Sequence, residues 1–250
     1  MDRLKNKNIV LTGGAGFLGK QFADAIENEG GTPIILDRDP SKFESCDWHC
    51  IQCDLTKESD IKSSLKYIIK EYGKIDGLVN NACNNPKMEN KRDYFGRLED
   101  FSVDKFRNDI DVSVVGAFLC IKHFGYNMEN NGGGVIVNVG SELGLVGPDQ
   151  RIYDYDSPKP VSYTVSKSAL VGLTKYVSTY WKHVRCNLVA FGGVYNYQPD
   201  EFVKRLEKLI PIGRMALKGE YNNTIIYLLS DDSSYMTGSV MVVDGGRTAW

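Results

Sequence analysis

The chain has 250 residues, of which 42% are hydrophobic and 25% are charged, so it can bury a substantial core and does not have the composition of a disordered or fibrous protein. Its formal net charge of −2 argues against a protein whose main task is to bind nucleic acid backbones. No apolar run approaches the roughly 20 residues of a membrane-spanning helix, and Gly13 and Gly14 interrupt the chain before a signal-peptide core could form, so we expect a cytoplasmic protein with no membrane partner.

Short apolar runs alternate with longer segments of helical periodicity along the whole chain. The apolar runs are continuous, which is typical of strands that are covered on both faces. Between two of them, Glu58–Tyr72 carries apolar residues at helical spacing. This order predicts an α/β fold in which a single domain, residues 1–250, forms a doubly wound, seven-stranded parallel sheet flanked by helices. The predicted strands are Ile9–Thr12, Pro33–Asp37, Cys50–Cys53, Gly77–Asn80, Val135–Val139, Arg185–Ala190 and Val240–Val243.

Three glycines, Gly13, Gly16 and Gly19, stand three residues apart where the first predicted strand leads into a helix. A helix N-terminus offers free N–H groups and the positive end of the helix dipole, and glycine lets the backbone approach a phosphate closely. On its own, the pattern fits a plain turn as well as a phosphate site. Two carboxylates at the ends of the next two strands, Asp37 and Asp54, favour the phosphate site of a dinucleotide.

The two carboxylates also indicate which dinucleotide binds. Asp37 follows the glycines by about 20 residues, where a carboxylate can accept hydrogen bonds from both ribose hydroxyls of an adenosine. Asp54 is expected near the adenine. A carboxylate at position 37 repels a 2′-phosphate, so we expect NAD in preference to NADP, although Arg38 could offset that repulsion.

Short motifs follow the predicted strands in a fixed order, namely TGGAGFLG (Thr12–Gly19), NNAC (Asn80–Cys83), NVGS (Asn138–Ser141), YTVSK (Tyr163–Lys167), RCN (Arg185–Asn187), GGV (Gly192–Val194) and MVVDGG (Met241–Gly246). In this order and at these intervals they resemble the short-chain dehydrogenase/reductase family over essentially the whole chain. The resemblance implies a Rossmann fold and hydride transfer between nicotinamide C4 and a carbinol or carbonyl carbon of a small molecule. It also implies a homodimer or homotetramer, and two long apolar helical segments, Ser102–Asn130 and Val161–Trp181, are candidates for its interface.

The resemblance further implies which residues hold the dinucleotide. They belong to the glycine turn, to the ends of several strands and to the helix that carries the tyrosine. By residue they are Gly13, Ala15, Gly16, Phe17, Leu18, Gly19, Asp37, Arg38, Asp54, Leu55, Asn81, Ala82, Cys83, Tyr163, Lys167, Gly193 and Val194.

The expected catalytic residues are Ser141, Tyr163 and Lys167. Tyr163 and Lys167 are four apart on a predicted helix, so they share a face. A phenol titrates near pH 10, and an adjacent ammonium group favours the phenolate, which makes Tyr163 the expected acid–base. By resemblance, Lys167 also holds the nicotinamide ribose. Ser141 is expected to donate a hydrogen bond to the substrate oxygen as charge develops there.

Ser113 is the fourth expected catalytic residue, and it is a departure from the family. The family normally places an asparagine at this position, where it binds a water that relays the proton from the lysine. A serine has a shorter reach, so we expect reduced or altered activity. A cofactor-binding protein with weakened catalysis is therefore one alternative function.

Two other departures bear on the substrate. The GxxGxxG spacing is more typical of a longer branch that handles nucleotide sugars, which makes a nucleotide-sugar epimerase or dehydratase a second alternative. Ser141 and Tyr163 are also 22 positions apart, where about a dozen is usual in the family. With the motifs GGVYNYQPDEF and PIGRM, the extra loop resembles the subgroup associated with flagellin modification and related acidic-sugar pathways.

Two long polar loops, residues 83–98 and 147–160, are expected to overhang the nicotinamide. The second carries Arg151, Tyr153 and Tyr155, the expected substrate residues, because arginine binds carboxylate or phosphate and tyrosine stacks on sugars or bases. An anionic or nucleotide-linked sugar would fit them. The alternative is that these are solvated charges of exposed loops, since the same loops also contain aspartates.

Three cysteines lie close together in CDWHCIQC, with His49 between them. A zinc site would need a second pair of ligands at matching spacing, and the sequence offers none. We therefore expect structural cysteines and no metal.

Overall fold

The computed structural model describes residues 2–39, 41–42, 48–85, 96–154 and 156–250. Seven parallel strands form one sheet, as the sequence predicts. Each predicted strand is present, and its ends lie within one residue of the predicted ends. The strands are β1 (Asn8–Thr12), β2 (Thr32–Asp37), β3 (His49–Gln52), β4 (Gly77–Asn80), β5 (Gly134–Val139), β6 (Val184–Phe191) and β7 (Val240–Val243). Their order in the sheet is β3-β2-β1-β4-β5-β6-β7.

Helices cover both faces of this sheet. Their bounds are α1 (Phe17–Asn28), α2 (Glu58–Tyr72), α3 (103–130), α4 (Val161–Tyr180), α5 (Asp200–Glu207) and α6 (Asn222–Leu229). Phe22 and Ile26 of α1 pack with Ile225 of α6 against one face, while α2, α3 and α4 cover the other face. The apolar strands are therefore buried from both sides, which accounts for their continuous apolar character.

The long helix α3 contains two π-helical turns, Asp111–Val115 and Ile121–Gly125. Such turns insert one residue into the regular hydrogen-bond pattern and change which side chains face a neighbour. The first of them contains Ser113, so helical periodicity alone could not predict the direction of its side chain.

The order of the strands reverses between β1 and β4, because the chain first winds outward to β3 and then returns to the middle of the sheet. Open parallel sheets bind ligands at the carboxyl ends of strands at such a reversal. In this protein the loops that follow β1, β2, β4, β5 and β6 meet there. Within the described ranges, no helix combines the length and the hydropathy needed to cross a membrane.

Candidate active site

A cavity of about 930 Å³ opens at this reversal. Its volume lies at the upper end of the range for small-molecule sites, about 300–1,000 Å³, and suits a dinucleotide together with a small substrate. The predicted cofactor residues all line it except Ala15 and Gly19. Ser141 and Tyr153 line it as well.

The glycine turn brings the backbone of β1 against the turn after β4. Gly13 has φ +62°, and a Cβ there would lie 2.8 Å from Cα of Ala82. A Cβ on Gly19 would lie 2.3 Å from the carbonyl oxygen of Gly13, so Gly19 allows α1 to pack on the turn and does not itself face the cavity. The helix begins after Gly16 without a side-chain cap, which leaves N–H groups of its first turn available to a phosphate.

Asp37, at the end of β2, lines the cavity. Its Oδ2 accepts a hydrogen bond from the backbone N–H of Ala15 at 3.2 Å, and its Oδ1 accepts one from that of Asp39 at 3.2 Å. Ala15 thus acts by holding Asp37 and does not line the cavity. These two bonds fix the carboxylate beside the glycine turn.

The turn after β4 is tied to the glycine turn by Asn81. Its Nδ2 donates to the carbonyl oxygens of Thr12 and Gly13, each at 3.1 Å. The Thr12 hydroxyl in turn accepts hydrogen bonds from the backbone N–H groups of Asn81 and Ala82. The NNAC motif therefore fixes the floor of the cavity, with Cys83 at its edge.

Tyr163 and Lys167 lie on one face of α4 and line the same cavity as the glycine turn. Lys167 is buried, its Nζ donates to the carbonyl oxygen of Val139 at 2.7 Å, and the same atom lies 5.6 Å from the centre of the Tyr163 ring. The Ser141 side chain hydrogen bonds with the Tyr163 phenol. A serine, a phenol and an ammonium group thus converge at the end of β5.

The electrostatics of Tyr163 differ from the sequence-based expectation. Burial raises the pKa of Tyr163 well above its usual range, the Cys83 thiol acts in the same direction, and the hydrogen bond with Ser141 opposes them. The phenol is therefore protonated at neutral pH and placed to donate a proton.

Three charged side chains of the cavity carry no sequence motif, and sequence reasoning missed them. Lys159 lies with its Nζ 3.8 Å from the centre of the Tyr163 ring and 2.9 Å from Oδ1 of Asn85, and burial lowers the pKa of Lys159 to about 8. Glu142 follows Ser141 and is only 6% exposed, and burial raises its pKa to about 7. Arg247, near the C-terminus, also lines the cavity.

Besides Ala15 and Gly19, two further predicted site residues, Ser113 and Arg151, are not among the residues that line the cavity. Ser113 is buried in the first π-helical turn of α3, and its neighbour Val112 lines the cavity instead. Arg151 is not among the lining residues, because its side chain is 86% exposed and its guanidinium donates two hydrogen bonds to the carboxylate of Asp149. The structure thus pairs the Arg151 guanidinium with Asp149, which does line the cavity, and leaves Arg151 itself out of the lining.

Two further expectations concern residues outside the described ranges. Tyr155 lies outside them, and so does Cys46 of the cysteine cluster. Cys53 is a buried free thiol, and within the part of the chain that the structure describes no group of three or more His, Cys, Asp or Glu side chains is arranged to hold a metal.

The RCN motif has a structural role in the protein. The guanidinium of Arg185 donates to the carbonyl oxygens of Leu228, Ser230 and Met236, and Nδ2 of Asn187 also donates to that of Met236. These bonds attach the segment before β7 to β6. The motif thus holds the edge of the sheet and does not enter the cavity.

Comparison with known proteins agrees with this architecture. A family model described as enoyl-(acyl carrier protein) reductase matches residues 14–248. The chain is 31% identical over 265 residues to the 7alpha-hydroxysteroid dehydrogenase of Bacteroides fragilis, covering 99% of this chain and 96% of that protein. It is 30% identical over 266 residues to an uncharacterized oxidoreductase of Thermotoga maritima, covering 98% of each. The solved structure of a short-chain dehydrogenase from Leptospira borgpetersenii with bound NAD+ has a TM-score of 0.88 and 27% identity, over 99% of this chain and 94% of that one.

The fold and the cavity define a nucleotide-dependent oxidoreductase of the Rossmann type. The chain belongs to the short-chain dehydrogenase/reductase family. It is an NAD(P)-dependent oxidoreductase that acts on CH–OH groups.

Proposed function

We propose that this enzyme interconverts a hydroxyl and a keto group on a polar, sugar-like substrate, with Tyr163 as the acid–base and NAD as the preferred cofactor. One observation carries the proposal: Ser141, Tyr163 and Lys167 line one cavity together with the glycine turn and Asp37. A dinucleotide that lies along the turn therefore has its two ends beside a ribose-binding carboxylate and a proton donor.

The described residues fit such a dinucleotide. Glycine at position 13 lets the turn after β1 pack on Ala82 of the turn after β4, and the first turn of α1 is free to bind the pyrophosphate. Asp37 is positioned for the adenosine ribose and disfavours a 2′-phosphate, while Arg38 lies beside it. When bound, the nicotinamide supplies the hydride acceptor or donor, and the protein supplies orientation and the proton.

Tyr163 would exchange the proton with the substrate oxygen. Because burial keeps the phenol protonated, it is ready to donate to a ketone, and in the opposite direction it must first lose its proton. The nearby ammonium groups of Lys159 and Lys167 favour that loss as charge develops. Ser141, hydrogen-bonded to the phenol, would donate to the same substrate oxygen.

The charges of the cavity support a polar substrate. Glu142, Lys159 and Arg247 all line it, so an extended apolar ring system such as a steroid, the substrate class in the name of the Bacteroides fragilis relative, would bury charges without partners. A hydroxylated, acidic molecule would pair with them. The anionic part of the proposal thus depends on Lys159 and Arg247 and no longer on Arg151.

We also propose a cytoplasmic homo-oligomer. The helices α3 and α4 present large exposed side chains, among them Phe118 and Tyr126 on α3 and Tyr176 and Tyr180 on α4. Each is between about half and two-thirds exposed, which favours a face that a second copy covers. Free thiols at Cys53, Cys120 and Cys186 fit a reducing compartment.

The test is turnover of NAD or NADP with a panel of polyols, sugars and sugar acids, followed by the absorbance of reduced nicotinamide. Tyr163→Phe should lower kcat by roughly 10²–10⁴-fold while NADH still binds, because only the proton carrier is removed. Tyr176→Phe is the matched control, since Tyr176 lies on the same helix but is exposed and outside the cavity.

The outcomes separate the alternatives. Product without net reduced cofactor would indicate an epimerase or dehydratase. Binding of NADH without turnover of any compound would indicate a weakened, cofactor-binding protein, the second candidate, which is favoured because Ser113 is buried and is not among the residues that line the cavity.

A further inference from the structure

We infer that Glu142 recognises a hydroxyl group of the substrate other than the reacting one, so that the enzyme acts on polyhydroxylated compounds and discriminates against their deoxy analogues. This inference rests on the proposed function and adds to it a residue and a chemical requirement. Glu142 immediately follows Ser141, and both residues line the cavity.

The Glu142 carboxyl is built into the cavity wall without a partner for one of its oxygens. Oε2 is buried and accepts no hydrogen bond, and the whole residue is only 6% exposed. The same atom lies 3.1 Å from where a Cβ on Gly192 would stand, so glycine at 192 leaves room for it. Buried polar groups are nearly always hydrogen-bonded, and each exception calls for a ligand or another explanation.

Three polar side chains near Glu142 have hydrogen bonds elsewhere, and the others, Tyr153, Tyr163 and Arg247, do not donate to Oε2 either. The hydroxyl of Tyr221 donates to the carbonyl oxygen of Gly192 at 2.9 Å, and Lys159 donates to Asn85. Asp244 uses both carboxylate oxygens to accept backbone N–H groups of the C-terminal segment. A donor for Oε2 is therefore expected from the molecule that occupies the cavity.

A hydroxyl suits this position better than an ammonium group. Lys159 and Arg247 lie near Glu142 and lower its pKa, while burial, the larger influence, raises that pKa to about 7. A carboxyl group that is partly protonated at neutral pH can both accept from a hydroxyl and donate to it. The two neighbouring cations would repel a substrate ammonium group.

The experiment compares pairs of substrates that differ by one hydroxyl, a polyol or sugar acid and its deoxy analogue. Steady-state kinetics, the Kd of NADH by fluorescence titration and the Tm are measured for the wild type, Glu142→Gln and Glu142→Met. We expect the wild type to prefer the hydroxylated compound in kcat/KM. Glu142→Met should reduce that preference by 10- to 100-fold, and Glu142→Gln should retain most of it, because an amide still hydrogen bonds. Neither variant should weaken NADH binding or lower the Tm.

Asp109→Asn is the matched control, since Asp109 is also buried but its carboxylate accepts from Asn84 and Ser162. It should lower the Tm and leave the substrate preference unchanged.

Three results would overturn the inference. An equal loss on both compounds would remove the recognition of a hydroxyl, a weaker NADH complex would make Glu142 a cofactor residue, and a lower Tm in both Glu142 variants would make it structural. If the wild type turns over no compound, the proposed function fails, and the same pairs are then compared by their binding to the protein–NADH complex. The absence of a Glu142-dependent preference there would also overturn the inference.

Discussion

At the proposed adenosine end of the cavity, where Asp37 and Asp54 lie, the acidic side chains have hydrogen bonds to protein groups, whereas the buried acid beside Ser141 has an oxygen without a partner. Asp37 accepts from the N–H groups of Ala15 and Asp39. Asp54 accepts from both the backbone and the hydroxyl of Thr56. These carboxylates are held in place before any ligand arrives, so this end of the cavity can orient a ribose at little cost in side-chain entropy.

The opposite end combines fixed and unsatisfied groups. Lys167 is fixed by the carbonyl of Val139, and Lys159 is held by Asn85, but Oε2 of Glu142 has no partner. A site that binds a constant cofactor can be complete in itself. A site that selects a substrate leaves the selecting groups to be satisfied by that substrate, which costs stability in the unliganded protein.

The largest effect is expected where the adenosine end depends on backbone packing. In Gly19→Ala the new Cβ would stand 2.3 Å from the Gly13 carbonyl oxygen and 2.6 Å from Cα of Gly14, so α1 must move away from the turn. We expect a loss of roughly 3 kcal/mol of unfolding free energy and a similar loss in NADH binding. Urea unfolding and NADH titration measure both.

Gly172→Ala is the matched control, because Gly172 is also helical and a Cβ there meets no other atom within 4 Å. It should stabilise the protein by about 0.5–1 kcal/mol through the higher helix propensity of alanine. Unchanged stability and unchanged NADH affinity in Gly19→Ala would contradict the role of this glycine.

A somewhat smaller effect on the free energy of unfolding is expected from the pH-dependent ionisation of Glu142, at the other end of the cavity. The pKa of Glu142 is raised from 4.5 to about 7 by burial, so the folded protein binds this proton more tightly than the unfolded chain does. The contribution to stability is therefore present below about pH 4.5 and is lost as the pH rises through about 7, by at most about 3 kcal/mol. Glu142→Gln should lack this loss, which urea unfolding at pH 5 and pH 8 would reveal. An identical pH dependence in the two proteins would show that the carboxyl is not buried as described.

The sequence predicted the fold well because its signals are local. Continuous apolar runs marked all seven strands to within one residue, and the glycine turn and the pair Tyr163 and Lys167 followed from spacing along one strand–helix junction and one helix. These features depend on short-range geometry that the chain carries in its residue order. Ser113 lies in a π-helical turn, where helical periodicity does not predict the direction of a side chain.

The charges around the substrate could not be predicted in the same way. Both Arg151 and Lys159 lie in the long loop before α4, and the sequence favoured Arg151 because guanidinium binds anions well. The backbone, however, places Asp149 within reach of Arg151, and a bidentate local partner is easily formed over two residues. Lys159 stands next to the start of α4 and is thereby directed over Tyr163. No sequence motif marks Glu142, and only its burial and its unpartnered oxygen in the structure indicate a role in binding.

The smallest of the expected effects distinguishes these two cations. Lys159→Met should raise KM for an acidic substrate by about 10-fold more than for its neutral analogue, since a charge-assisted hydrogen bond contributes roughly 1.5 kcal/mol. The pKa of Lys159 is lowered to about 8 by burial, so the wild-type preference for the acid should also decline above about pH 8, as the ammonium group loses its proton. Initial rates across pH 6–10 with both compounds measure this preference.

Arg151→Met removes the same charge from the same loop at a side chain that is 86% exposed and already bound to Asp149. Because solvent screens an exposed charge, we expect less than a twofold change in KM for either compound. Each of the two variants, Lys159→Met and Arg151→Met, removes one positive charge from this loop, so they differ only in the position of the cation that is removed. If Arg151→Met raised KM for the acidic substrate as much as Lys159→Met does, the loop would have to rearrange when the substrate binds. The substrate end of the cavity would then take its final form only with its ligand bound, whereas the proposed adenosine end has that form already.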